Sequence, residues 1–491
     1  MDKTWSAQQL SIFDWFKNTQ KAQSNLVVRA RAGTGKTTTI LSGVDMAPEA
    51  KILVCAFNKR IQVEIAAKLK NPRAEAKTFH ALGYSFIRRV ASNVRPDDKV
   101  EMERAKSVVT AQGAAPDDVA ILVSKLLGKA KNAAPFATVA DIERLADDFD
   151  LTPSEETERS GWNTARVARC VRDAMDISME KDPQGRISFD DMVWLPVVCG
   201  LIKPWFDMVI VDEAQDTNIC QLLIAQGACK KGGRLVVVGD DRQAIYGFRG
   251  ADSGSIDRLK KELNAVELPL NTTYRCPKSV VALAQTLVPD YMAADTAPQG
   301  LVDGLDYDKL FDAARVGDFV LSRKNAPLMA VCMGFLRRGI RARIEGREVG
   351  AGLVALVKKM KSPSSMVKFL DKLTKWKDKE ILRAQAQENT TRMELVTDQY
   401  ETLVTLAEGL TGVPELEARI TSLFEDSSSN PAPAIVCSSV HKAKGLESER
   451  VFVLQYTLFP GKRRDIEECN IAYVAYTRAK HHLTLVNEAV K

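Results

Sequence analysis

The 491-residue chain lacks the features by which disulfide-stapled, zinc-bound or membrane proteins are usually read from sequence. Its nine cysteines, at 55, 170, 199, 220, 229, 276, 332, 437 and 469, include no Cys-x-x-Cys pair, and none of the four histidines stands at zinc-ligand spacing. Reduced, mostly buried thiols are the expected state. No apolar run approaches the roughly 20 residues of a membrane span. The first residues, Met1-Asp2-Lys3-Thr4-Trp5-Ser6, also lack the basic and then apolar layout of a signal peptide. A soluble, intracellular protein without a membrane partner is expected. Charge of one sign is scarce as well: 69 Lys and Arg against 63 Asp and Glu leave +6, too little to identify a nucleic-acid partner by itself.

What is present is a repeated pattern. With 45% apolar residues the chain can bury several cores, enough for three or four domains. Short apolar runs alternate with amphipathic stretches, as in a doubly wound parallel sheet. Leu26-Val27-Val28, Ile52-Leu53-Val54-Cys55, Met208-Val209-Ile210-Val211 and Leu235-Val236-Val237-Val238 form one series. Asp318-Phe319-Val320-Leu321, Ala434-Ile435-Val436-Cys437, Val451-Phe452-Val453-Leu454 and Leu483-Thr484-Leu485-Val486 form a second. Two series imply two sheets. The pattern stops from about Ser85 to Arg186 and again from about Gly350 to Asn430, where helix-rich sequence takes over.

The apolar runs end in segments that carry chemistry. Ala30-Arg31-Ala32-Gly33-Thr34-Gly35-Lys36-Thr37 has the glycines that let backbone N–H groups wrap phosphate oxygens, a lysine for the terminal phosphates and a hydroxyl for Mg2+. Asp212-Glu213, after four apolar residues, suits a metal-binding carboxylate followed by a base for the attacking water. Several NTPase classes share such a loop. Guanine specificity would want Asp two residues after Asn58-Lys59, where Ile61 stands, and Leu41-Ser42-Gly43-Val44 follows the loop too closely to be a transporter signature.

The order of further segments narrows the class: Gly239-Asp240-Asp241-Arg242-Gln243, Tyr274-Arg275, Val440-His441-Lys442-Ala443-Lys444-Gly445-Leu446-Glu447 and Tyr473-Val474-Ala475-Tyr476-Thr477-Arg478-Ala479. In this order the chain resembles the UvrD/Rep group of superfamily 1 DNA helicases from Gln9 to Arg478. The run Val54-Cys55-Ala56-Phe57-Asn58-Lys59 and the compact spacing are most similar to the short F-box-helicase-like and phage members.

The resemblance implies two RecA-like motor lobes. Lobe 1A spans 1–84 and 187–275, with accessory insertion 1B at 85–186; lobe 2A spans 276–349 and 430–491, with a short insertion 2B at 350–429. It implies ATP and Mg2+ as cofactors, with Ala32, Gly33, Thr34, Gly35, Lys36, Thr37 and Thr38 around the phosphates and Thr37 and Asp212 on the metal. Glu213 is then the base, Gln243 the phosphate sensor, Arg478 the arginine finger that makes hydrolysis depend on the opposing lobe, and Arg275 a second phosphate contact. Gln9, with Gln8 as the competing candidate, and the aromatic Tyr274 fall to the base, and Glu447 to the ribose. Phe57, Thr78, His80, Tyr246, Phe248, Arg249 and His441 match DNA contacts, although His80 and His441 read equally as polar core residues. The implied activity is an ATP-dependent, 3'-to-5' DNA helicase and translocase on single-stranded and tailed duplex DNA, working in the cytoplasm of a bacterial or phage-infected cell or in a nucleus. A DNA-stimulated ATPase that strips proteins from single strands without unwinding is the alternative.

Overall fold

The computed structural model describes residues 4–18, 24–149, 151–180, 182–245, 255–360, 365–386, 390–424, 433–459 and 465–488. The chain divides into two units, Met1–Ala30 with Gly35–Leu270, and Arg31–Thr34 with Asn271–Lys491. Each is built on a six-stranded, all-parallel sheet, giving the two RecA-like α/β lobes expected from the sequence.

In the first unit the strands are β1 (Leu26–Ala30), β2 (Ile52–Ala56), β3 (Ala74–Thr78), β4 (Phe206–Val211), β5 (Cys229–Gly239) and β6 (Val266–Leu270). Their order across the sheet is β3, β2, β4, β5, β1, β6. Alternate residues face opposite sides: Val27, Leu53, Cys55, Val209, Val211 and Val237 enter one core. Val28, Val54, Ile210 and Val238 enter the other, with Ile12, Phe16, Ile40 and Val44. Burial on both faces explains why these strands read as unbroken apolar runs.

Between β3 and β4 the chain is helical, from the helix Phe79–Val90 to the helix Phe189–Val198. These helices have no separate core; Leu126, Trp162 and Val171 belong to the same cluster as Val27 and Leu53. Asp191, fully buried, accepts from Lys131 Nζ at 2.7 Å and from Arg104, so the one carboxylate ties three helices together. The first and last helices approach so closely that a Cβ on Gly83 would lie 2.0 Å from the Met192 carbonyl oxygen.

The second unit contains β7 (Leu301–Asp306), β8 (Phe319–Ser322), β9 (Ala342–Glu345), β10 (Ile435–Ser439), β11 (Ser448–Leu454) and β12 (Ala479–Asn487), in the order β7, β12, β11, β8, β10, β9. Four helices, Arg347–Lys359, Met366–Ala386, Thr390–Ala407 and Val413–Phe424, lie between β9 and β10. Leu403, Leu416 and Ile420 share a core with Val320 and Phe335. Asp398 on the third helix accepts from the backbone N–H of Asn325 (3.1 Å) and Ala326 (2.9 Å), capping the helix Asn325–Arg337. The basic stretch 337–343 crosses a helix end, a turn at Gly339 (φ 73°) and the start of β9. No described helix is long and apolar enough to cross a membrane.

Replacing Gly83 with alanine drives a methyl into a backbone carbonyl between two packed helices. Gly83→Ala is expected to lower stability by about 1–3 kcal/mol, the usual cost of overpacking, read as a fall in denaturant midpoint at unchanged slope.

Candidate functional site

Phosphate-loop chemistry in the first unit starts where β1 ends. Gly35, left-handed at φ 76°, turns the chain into the helix Lys36–Met46, whose first N–H groups have no intrahelical partner and point toward whatever occupies the loop. Lys36 Nζ lies 3.1 Å from Glu213 Oε2. Burial opposes the lysine's charge, but Glu213, Asp240 and Asp212 outweigh it and hold its pKa above the ordinary value. Glu213 sits just past β4 at φ 50°, ψ 46°, a left-handed conformation that costs a non-glycine residue energy. Its N–H donates to Asp212 Oδ1 at 2.9 Å, and Gln215 Nε2 donates to its Oε2 at 2.6 Å.

Gln215 also connects this pair to the next motif. Its Oε1 accepts from the Asp240 N–H at 3.0 Å, and Asp240 Oδ2 accepts from Gln243 Nε2 at 2.7 Å. The structure thereby brings Lys36, Asp212, Glu213 and Gln243 into one buried network. Asp240 and Gln215 are members that the sequence reading passed over, although both lie inside motifs it had singled out. Asp212 is pushed up to about 6 by burial and by its neighbour Glu213.

The donors fit Mg2+. Among the described residues no group of three or more His, Cys, Asp or Glu could hold a metal. Mg2+ needs no such cage, since it is commonly held by one or two carboxylates with waters and substrate phosphates. Asp212, a buried carboxylate whose ionisation is disfavoured, and the Thr37 hydroxyl on the first helical turn supply that kind of site. Thr38 is exposed on the same turn.

Gln9 is occupied at both ends. Its Oε1 accepts from the Ser6 N–H and its Nε2 donates to Thr39 Oγ1, both at 3.0 Å. One amide hydrogen and one lone pair remain for a base edge. Thr78 Oγ1 caps the helix Phe79–Val90 by accepting from the Ala81 N–H at 3.1 Å. Phe57, 36% exposed, follows β2, and His80 sits in the first turn of the Phe79–Val90 helix, where burial lowers its pKa although Asp190 opposes the shift. The sequence reading missed two more exposed rings in this unit, Phe136 at 66% and Phe189 at 52%. Neither lies in a motif, so only exposure reveals them. Tyr246, Phe248 and Arg249 lie outside the described residues.

The second unit holds the remaining candidates, including the first half of the phosphate loop. Ala32 is fixed at both ends of its backbone: its N–H donates to Tyr473 Oη at 2.9 Å and its carbonyl accepts from Tyr291 Oη at 3.0 Å. Arg31 pairs with Asp290 at 2.8 Å, Thr34 Oγ1 donates to the Arg31 carbonyl, and the Tyr274 N–H donates to the Gly33 carbonyl at 2.9 Å. A Cβ on Gly33 would lie 2.5 Å from Arg275 Cβ, so only glycine fits there. The Tyr274 ring is 52% exposed.

Arg275 and Arg478 differ in their surroundings. Arg275 Nε lies 2.5 Å from Glu447 Oε2, and Lys480 Nζ lies 2.7 Å from Glu447 Oε1. Burial works against the Glu447 carboxylate, but Lys480 and Arg275 keep its pKa below the ordinary value. Arg478 is 1% exposed and donates to the Val474 and Leu446 carbonyls and to Thr477 Oγ1, at 2.9, 3.1 and 3.1 Å. Burial and the nearby Arg275 lower its pKa to about 10, leaving it charged at neutral pH with no ion-pair partner among the described residues. His441 lies on the one-turn helix Val440–Ala443.

A parallel sheet ending in a glycine-turned loop, a lysine and a buried acidic pair defines a phosphate-loop nucleotide-binding fold. Comparison with known families narrows this. Residues 14–264 match the UvrD/REP helicase N-terminal domain and residues 355–488 the UvrD-like helicase C-terminal domain. The chain belongs to the UvrD/REP helicase family. It is similar to the ATP-dependent DNA helicase PcrA of Staphylococcus aureus, 26% identical over 303 residues, 56% of this chain and 39% of that protein. It is also similar to F-box DNA helicase protein 1 of Schizosaccharomyces pombe, 23% identical over 527 residues, 95% of this chain and 56% of that protein. The matches thus cover about half or less of these relatives' own lengths.

A metal on Asp212 must displace the proton that the carboxyl holds below about pH 6. Mg2+ affinity of the nucleotide-free protein is therefore expected to be level above that pH and to fall as pH drops through it. Calorimetric Mg2+ titrations from pH 5 to 8 check this, and a flat profile would mean that Asp212 does not bind the metal.

Proposed function

We propose that the protein is an ATP-dependent DNA helicase and single-stranded DNA translocase that steps 3'-to-5', with hydrolysis coupled between its two lobes. The observation that carries the reading is the buried network of Lys36, Asp212, Glu213, Asp240 and Gln243 beyond the phosphate loop. Terminal phosphates draw Lys36 away from Glu213, and the freed carboxylate, steered by Gln215, accepts the proton of the attacking water. Asp212 and Thr37 would hold Mg2+, which would supply charge neutralisation at the phosphates. Gln243 reports the state of the phosphates through Asp240. Arg478, a buried cation held only by carbonyls and a hydroxyl, and Arg275 stabilise charge on the transferring phosphoryl group.

Adenosine recognition falls to Gln9, Tyr274 and Glu447. Single-stranded DNA is gripped by Phe57, Thr78, His80, Tyr246, Phe248, Arg249 and His441, with aromatic rings such as the exposed Phe57 stacking on bases whatever their sequence. In this reading residues 85–186 and 350–429 are the accessory insertions 1B and 2B. The substrate is tailed duplex DNA, in the cytoplasm of a bacterial or phage-infected cell or in a nucleus.

Glu213→Gln is expected to keep ATP binding and to slow DNA-stimulated turnover by about 10^2 to 10^4, the usual range for a lost general base. Near-normal turnover would remove Glu213 from that role. Unwinding assays on duplexes with a 3' or a 5' tail test the direction: a 5'-tail preference would overturn the polarity, and stripping of bound protein without unwinding would favour the alternative ATPase.

Arg478→Ala should lower turnover by up to roughly 10^3 to 10^5 while changing nucleotide affinity far less. Affinity and turnover measured side by side decide this. A loss confined to affinity would make Arg478 a binding residue and not a group that stabilises the transition state.

A further inference from the structure

The first unit contains a polar path that the chemistry above does not use. It starts at the helix Phe189–Val198, whose first residue exposes its ring and whose second, Asp190, lies close enough to His80 to oppose in part the lowering of its pKa by burial. The tight crossing at Gly83 fixes that helix against the helix bearing His80. Asp190 Oδ1 accepts from Asn132 Nδ2 at 2.8 Å, and the same Nδ2 donates to the Gly128 carbonyl at 2.8 Å. At the other end of its planar amide, Asn132 Oδ1 accepts from Asn218 Nδ2 at 2.8 Å.

Asn218 adjoins the acidic pair. Its Oδ1 caps the helix Ile219–Ala228 by accepting from the Gln221 N–H, and only Thr217 separates it from the turn Ala214–Asp216. In that turn the Asp216 N–H donates to the Glu213 carbonyl at 3.0 Å and the Thr217 N–H to the Ala214 carbonyl at 3.2 Å. Glu213 itself is held in a sparsely populated left-handed conformation, so a small displacement of the turn re-aims its carboxylate.

We propose that Asn132 is a positioning residue that transmits occupancy of the surface bearing His80 and Phe189 to Glu213. The two ends of the amide rotate together, so a change in the Asp190 acceptor moves the oxygen that Asn218 holds. A strand that shifts Asp190 thereby alters the aim of the base, and DNA stimulates hydrolysis. The inference rests on the reading of Glu213 as the base and of this surface as a strand contact.

The test compares ATP turnover with and without oligo(dT), together with oligo(dT) affinity. Asn132→Ala should cut the stimulation factor by roughly 2- to 30-fold, the span of a coupling residue, and leave unstimulated turnover and oligo(dT) affinity within about twofold. Unchanged stimulation, or an equal fall with and without DNA, would overturn the assignment. Asn132→Asp sets a carboxylate against Asp190 and should also lose stimulation. Adding Asp190→Asn restores a donor and acceptor in reversed order and should recover it; a double variant no better than the single one would overturn the path. A wild-type protein that oligo(dT) does not stimulate would instead defeat the underlying reading, and this proposal with it.

Discussion

Three carboxylates and one lysine gathered, largely out of water, beyond the phosphate loop constrain the rest of the first unit. Lys36 cannot neutralise Asp212, Glu213 and Asp240 together, and Asp212 bears the cost: burial first, and then the charge of Glu213, push its pKa up to about 6. Excess negative charge at low dielectric is tolerable only if polar neighbours are fixed or a cation arrives. Both answers are built in. Gln215 and Gln243 are oriented by Glu213 and Asp240, and the site keeps the donor set of a hard divalent ion. The parallel sheet makes this possible because β1, β4 and β5 are adjacent and end on the same side, so residues far apart in sequence meet beyond their carboxyl ends.

The second unit carries the opposite imbalance. Arg478 is more deeply buried than the acidic pair, yet its donors go to neutral oxygens, and burial together with its neighbour Arg275 makes it less willing to hold its charge. A buried cation with neutral partners is costly unless an anion completes it. Arg275 differs in kind, since Glu447 already balances it and Lys480 shares the same carboxylate. Of the two arginines, Arg478 is the one whose surroundings leave more to gain from an incoming anion.

How much was legible follows from where each strand lies. Every strand read from an apolar run, β1, β2, β4, β5, β8, β10, β11 and β12, is flanked by strands on both sides. The four unread ones, β3, β6, β7 and β9, are the sheet edges, where half-exposed positions admit Lys77, Glu267, Asp303 and Arg343 and the apolar signal disappears. The basic stretch 337–343 looks polar throughout because it joins the end of the helix Asn325–Arg337 to an edge strand entered through a left-handed glycine. Motif residues at the ends of central strands were readable because phosphate chemistry dictates their types. The partners that hold the phosphate loop, Tyr291 and Tyr473, come from distant stretches, and no local pattern announces a hydrogen bond formed across hundreds of residues.

The insertions show the same limit at a larger scale. Composition marked them as departures from the strand pattern, which suggests appended bodies, but packing joins them to their sheets. Leu403, Leu416 and Ile420 have no core apart from Val320 and Phe335, and exposing each such side chain would cost about 1.5–3 kcal/mol. Asp398 adds a cap that the helix Asn325–Arg337 would lose if the insertion moved away. The second insertion is therefore held as part of its lobe. In the first, the buried Asp191 with Lys131 and Arg104 does equivalent work: separating those charges would leave ions without partners in an apolar core. The helix that bears Phe189 and Asp190 is fixed in the same way by its crossing at Gly83, and on the proposal above that rigidity would carry a small displacement at Asp190 to Glu213 instead of dissipating it in a hinge.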